Sequence, residues 1–132
     1  MSRSPAQILA KARTIALVGA SPNSSRPSHS VMRYLLDAGY RVIPVRPLDC
    51  DEVLGVPCVA SLGEIEEPID VVDVFRRAEH APAHAREAVA AGAGAFWLQL
   101  GLVSDEARRI VEDAGIDYVE DACTAVVHRQ LS

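Results

Sequence analysis

Gly19, Ser21, Ser24, Ser25, Arg26 and Ser28 crowd one short stretch of the chain. A glycine, several hydroxyls and a guanidinium so close together suit one task, the holding of a phosphate. Glycine lets the main chain approach an anion, amides and hydroxyls donate to it, and arginine meets its oxygens with two parallel donors. The same residue types also make a plain strand-to-helix turn, so the stretch needs support from elsewhere. Support comes from cations and amides placed just after apolar runs. Arg46 and Pro47 follow Arg41–Val45, Arg76 and Arg77 follow Ile69–Phe75, Gln99 and Gly101 follow Ala95–Leu98, and Cys123 lies just beyond Asp117–Glu120.

Those apolar runs are the elements that must position the chemistry. Thr14–Val18 is a short β-branched run that stops at Gly19, as a strand buried on both faces does. From Ser28, Val31, Met32, Leu35 and Leu36 recur at helical spacing, with Gly39 in the place of a C-terminal cap. Arg41–Val45 reads as a second strand whose Pro44 implies its end or a bulge, and a loop-rich passage runs from Arg46 to Gly63. Ile69–Phe75 is a third strand, followed by a helix over Glu79–Ala91. Ala95–Leu98 is a fourth, before a helix capped by Ser104 and closed by Gly115. Asp117–Glu120 is a fifth, before a short last helix. Ser4 and Pro5 open a short helix ahead of the first strand. Strands alternating with helices predict a single α/β domain over residues 1–132, a Rossmann-like three-layer sandwich around a five-stranded, mainly parallel sheet. In such a sheet ligands sit beyond the carboxyl ends of the strands, where the cations and glycines above converge.

Bulk properties exclude several classes. The chain has 132 residues, a formal charge of -5 and no clustered basic stretch, which argues against broad contact with nucleic acid. The segment Met1–Ala12 lacks the pattern of a secretory signal, and the apolar stretch around Ala88–Leu98 is too short and too broken to span a bilayer, so a cytoplasmic protein is expected. Cys50, Cys58 and Cys123 fit no zinc or paired redox spacing and are expected to stay reduced. His29, His80, His84 and His128 share no metal spacing with a carboxylate or cysteine, and His80 and His84 read as surface residues.

The strand ends narrow the ligand. A nicotinamide-dinucleotide site wants three glycines in the first loop and an acidic residue after the second strand. Only Gly19 is in place, and the residue after Val45 is Arg46, a cation that suits a phosphorylated ribose such as that of coenzyme A or NADP. Arg76 and Arg77 either face the crevice or pair with Glu79 on the surface. Cys123 either packs as a small apolar residue or gains reactivity from a helix N-terminus.

Several blocks in one order extend the comparison: Ile15–Asn23 with Arg26–Ser28, Gly39–Val45, Asp70–Arg77, Trp97–Gly101 and Asp121–Cys123. With them the chain resembles the small stand-alone CoA-binding domain proteins, similar to the CoA-binding domain of the succinyl-CoA synthetase α subunit. The resemblance implies a Rossmann-like fold that binds coenzyme A, with the pyrophosphate near Gly19, Ala20, Ser21, Pro22, Arg26 and Ser28. It sets Val45, Arg46, Pro47, Phe75, Arg76 and Arg77 along the adenosine portion, with Gln99, Gly101 and Cys123 completing the strand ends. The sequence departs from that family in Arg46, where asparagine is common, in Ala122, where arginine is common, and in Val127, where glutamate often precedes the histidine. A non-catalytic or regulatory binder of CoA or acyl-CoA is expected. The alternatives are an NADP-linked oxidoreductase, an enzyme exchanging thiols or acyl groups through Cys123, and a subunit that meets a partner protein or its own copies.

Overall fold

The computed structural model describes residues 2–47 and 50–131. Met1, Leu48, Asp49 and Ser132, which fall within the expected domain and the Arg46–Gly63 passage, lie outside the described residues. In chain order the elements are α1 (Pro5–Lys11), β1 (Thr14–Val18), α2 (Pro27–Asp37), β2 (Arg41–Val45), β3 (Glu52–Val53) and β4 (Val56–Pro57). They continue with β5 (Val71–Val74), α3 (Ala81–Ala90), β6 (Ala95–Leu98), α4 (Asp105–Asp113), β7 (Asp117–Val119) and α5 (Thr124–Arg129). Five strands form one parallel sheet in the order β2-β1-β5-β6-β7. This is the α/β Rossmann-like architecture that the alternating strands and helices imply. From β1 the chain moves outward to β2 and then returns to β5 on the other side of β1. The strand order therefore reverses between β1 and β5, and the crevice opens at their carboxyl ends.

Alternation along the strands builds two apolar layers. Ala16, Val18, Val72, Val74, Phe96 and Leu98 pack with Ala85 and Ala88 of α3 and with Ala107 and Val111 of α4. Ile15, Leu17, Val71 and Trp97 pack with Ile8 and Leu9 of α1 and with Met32 and Leu35 of α2. Asp73 is the exception on this second face, a carboxylate with no exposed surface in a row of buried aliphatics.

Local chemistry accounts for the element boundaries. Ser4 and Gln7 cap α1 reciprocally, each side chain bonding the other's backbone N–H. Ser104 caps α4 by accepting from the Ala107 amide at 3.1 Å, so Ser104→Ala is expected to lower stability by about 1 kcal/mol in thermal or denaturant unfolding. Pro44 neither ends β2 nor bulges it. Its carbonyl accepts from the Val59 amide at 3.0 Å, so its missing donor faces the sheet's outer edge while Ile43 and Val45 keep the ladder to β1. β5 is shorter than Ile69–Phe75, although the Asp70 and Phe75 amides still donate to Thr14 and Val18 carbonyls. A one-turn 3-10 helix over Ala78–His80 delays the start of α3 beyond Glu79.

Two expectations are corrected. Cys50 and Cys58 do not stay reduced but form a disulfide, because the β3–β4 hairpin folds the passage back on itself and brings their Cα atoms to 5.9 Å. Cys123 remains a free thiol. His84 is not a surface residue. Its side chain is 14% exposed, Nδ1 is 2.7 Å from Glu87 Oε1, and Nε2 is buried with no hydrogen-bond partner.

Candidate functional site at the strand ends

The β1–α2 loop is held in shape before any ligand arrives. The Gly19 and Ala20 amides both donate to the Val45 carbonyl, at 3.1 and 3.4 Å. Ser21 Oγ accepts from the Asn23 amide, and Asn23 Oδ1 accepts from both the amide and the hydroxyl of Ser25. Gly19 has φ +88°, and a Cβ there would lie 2.9 Å from Arg76 Cγ and 3.1 Å from the Phe75 carbonyl carbon and oxygen. The crossing of β1 and β5 at their exits thus needs a residue without a side chain.

A cleft of about 390 Å³ opens over this loop, with Gly19, Ser21, Arg26, Ser28, Arg46 and Phe75 among its walls. Arg26 is the N-cap residue of α2 but gives it no side-chain cap, and Pro27 starts the helix. The helix end therefore keeps donor capacity toward the cleft. Ser28, 4% exposed, makes no side-chain hydrogen bond among the described residues, and neither does the exposed Arg26 guanidinium. Arg46 donates to the Ala20 carbonyl at 3.2 Å, which ties the β2 exit to the loop.

A second cleft, about 480 Å³, lies alongside and shares Pro27 and Phe75 with the first. Its walls are mainly apolar, from Val31, Leu100 and Leu102, with Arg76, Arg77, Gln99 and Cys123 at its margins. Leu100 is 73% exposed, an unusual expense of apolar surface beside a cleft. Arg77 also pairs loosely with Glu79 at 3.8 Å on the surface, which contributes little.

The structure thus gathers Gly19, Ser21, Pro22, Arg26, Ser28, Arg46 and Phe75 around one cleft, and Arg76, Arg77, Gln99 and Cys123 around its neighbour. Ala20 and Val45 point their side chains into the core and contribute through backbone carbonyls. Pro47 and Gly101 line neither cleft; the Gly101 amide instead donates to Asp121 Oδ1 at 2.7 Å. Ser24 and Ser25 also lie outside both clefts. Sequence reasoning missed Val31 and Leu102 as lining residues, and it did not single out Asn23, Pro27 or Leu100 within the strand-end stretches that hold them. Val31 and Leu100 carry no polar signal, and Leu100 stands beside a residue already singled out.

Beneath the second cleft lies a buried polar cluster that composition hides. Gln99 Nε2 donates to Asp73 Oδ1 at 2.5 Å and to Thr124 Oγ1 at 2.9 Å, and Thr124 donates to Asp73 Oδ2 at 3.0 Å. Burial pushes the Asp73 carboxyl up to about 7, against the opposing pull of the bonds from Gln99 and Thr124. The only sequence signal was one acid inside the run Val71–Phe75.

An uncharacterized protein of Bacillus subtilis, YneT, is 45% identical over 92% of this chain and 90% of its own length. An ADP-forming acetate–CoA ligase of Methanocaldococcus jannaschii is 29% identical over 45% of this chain, which is only 8% of that ligase. The solved structure of a Thermus thermophilus protein, cell-free ID.343, superposes with TM-score 0.90 at 42% identity, over 96% of this chain and 95% of that one. Residues 13–129, from the approach to β1 through α5, match the CoA binding domain family, and to that family this chain belongs.

Proposed function

We propose that this chain binds coenzyme A or an acyl derivative of it as a non-catalytic or regulatory module, working as a single cytoplasmic domain. The observation that carries this reading is the first cleft, where the Ser28 amide at a helix start without a side-chain cap, the Ser28 hydroxyl and the Arg26 guanidinium all lack protein partners among the described residues, while the neighbouring His29 amide is taken by the Arg26 carbonyl. Unspent donors facing one space are complementary to a diphosphate. Arg46, on the neighbouring strand exit, suits the ribose 3′-phosphate. The adjoining apolar cleft suits the less polar arm that bears the thiol. Among the described residues, the polar side chains that line the two clefts are mostly donors and cations, which retain an anion, with no pairing of an acid and a base. Among the described residues no helix is long and apolar enough to cross a membrane.

Calorimetric titration with CoA, dephospho-CoA and NADP tests the reading. CoA is expected to bind, and dephospho-CoA to bind about tenfold more weakly through loss of one charge-assisted contact. Equal affinity for the two would remove Arg46 from the ribose phosphate, and no heat with CoA at about millimolar concentration would end the proposal. Arg26→Ala is expected to weaken CoA binding by about tenfold and to leave the unfolding midpoint unchanged, because the side chain is exposed and has no protein partner among the described residues to lose.

A further inference from the structure

We infer that Asp73 and Thr124 are positioning residues that lock the Gln99 amide with its oxygen toward the apolar cleft, so that this cleft selects a ligand arm carrying an amide N–H. The inference deepens the proposed function and rests on it. Above about pH 7, where Asp73 is ionised, its carboxylate can only accept hydrogen bonds, so the atom of Gln99 that faces it is the nitrogen. That nitrogen has two hydrogens, and both are committed, one to Asp73 Oδ1 at 2.5 Å and one to Thr124 Oγ1 at 2.9 Å. The Thr124 hydroxyl hydrogen is committed in turn to Asp73 Oδ2 at 3.0 Å. Asp73 and Thr124 are fully buried, so no water competes for these protons.

What remains of the amide is Oε1, which makes no hydrogen bond among the described residues. Gln99 is 4% exposed and lines the second cleft, where Val31, Leu100 and Leu102 offer its oxygen nothing and where Arg76, Arg77 and Cys123 at the margins make no hydrogen bond to it. A lone acceptor on an apolar wall rewards a donor and repels another acceptor. A ligand arm attached to the phosphate-bound nucleotide meets that condition if it carries amide N–H groups. A thiol is also a donor, though a weak one, and the test separates the two.

Titrations at about pH 8.5, above the raised Asp73 value, would use three probes: CoA, desulfo-CoA lacking the thiol, and 3′-phospho-ADP lacking the arm. Asp73→Asn, which lets the amide flip, and Gln99→Leu are each expected to weaken CoA and desulfo-CoA by about tenfold. Neither should change the affinity for 3′-phospho-ADP. Thr124→Val should weaken the two armed ligands in the same way, and Thr124→Ser should restore them. The Thr124 pair decides the matter by the same criterion if the Asp73 variant does not fold. Unchanged CoA affinity in the Asp73 and Thr124 variants would overturn the positioning role, as would an equal loss for 3′-phospho-ADP. A loss for CoA without one for desulfo-CoA would overturn the amide assignment. Failure of all three probes on the unsubstituted protein would instead strike the CoA reading on which the inference stands.

Discussion

Gly19→Ala is expected to lower stability by about 3 kcal/mol and CoA affinity by at least about a hundredfold. Two costs combine at this position. The φ of +88° is one that a side chain tolerates poorly, and the new methyl would meet the Phe75 carbonyl at 3.1 Å, a backbone atom that cannot rotate away. Relief requires the β1 exit to separate from the β5 exit, which moves the Ala20 and Ser21 end of the loop away from Arg46 and widens the cleft. Gly39 supplies the control. Its φ is +100° but a Cβ there would meet nothing within 4 Å, so Gly39→Ala should cost only about 1 kcal/mol and leave CoA affinity intact. Denaturant unfolding and calorimetry on both variants check the pair. Equal stability losses, or CoA binding retained in Gly19→Ala, would show that the close crossing of the strand exits does not shape the site.

The second large effect is a dependence of stability on pH that runs opposite to that of most carboxylates. Asp73 has a folded value near 7 against an ordinary 3.8, raised mainly by burial. Below about pH 4 both folded and unfolded chains hold the proton, and the group contributes no slope. Between about 4 and 7 the unfolded chain ionises while the folded one keeps its proton, so stability falls as pH rises. Above about 7 both are ionised and the loss, up to about 4 kcal/mol, is complete. Asp73→Asn cannot ionise. The stability of this variant relative to the unsubstituted protein is therefore expected to rise by several kcal/mol between about pH 4 and pH 8, with most of the change between 5 and 7. Taking the difference removes groups common to both proteins, such as Glu67, whose carboxyl is held down by its bond to Arg41. A difference that stays flat across this range would mean that Asp73 does not change ionisation on folding as its burial requires.

Much of the fold was legible because β1, β2, β5 and β6 of the main sheet are short, largely apolar runs, and the helices between the sheet's strands have a cap or an apolar stripe of their own. Gly19 ends β1 and Gly39 and Gly115 follow helices, so local chemistry and global topology agree there. The cations at the strand ends were legible for a related reason: in a parallel sheet all the carboxyl ends point one way. The disulfide was not, because it depends on a hairpin whose strands are two residues each and carry no periodicity. Gly101 looked like a site residue because it follows β6, yet its positive φ and its bond to Asp121 serve the turn. Asp73 went unseen for the opposite reason. One acid in a strand reads as a solvent-facing residue until the register places it opposite Leu17 and Trp97, under the start of α5.

Amide chemical shifts recorded while CoA is added test the central claim most directly, since they locate the ligand residue by residue. The largest changes are expected at Gly19–Ser28 and at Arg46, then at Phe75–Arg77 and Gln99–Leu100, all at the carboxyl edge of the sheet. The opposite edge has a cleft of its own, about 600 Å³, lined by Leu9, Gly39, Tyr40 and His128. Shifts centred there, or an unchanged loop between β1 and α2, would contradict the account.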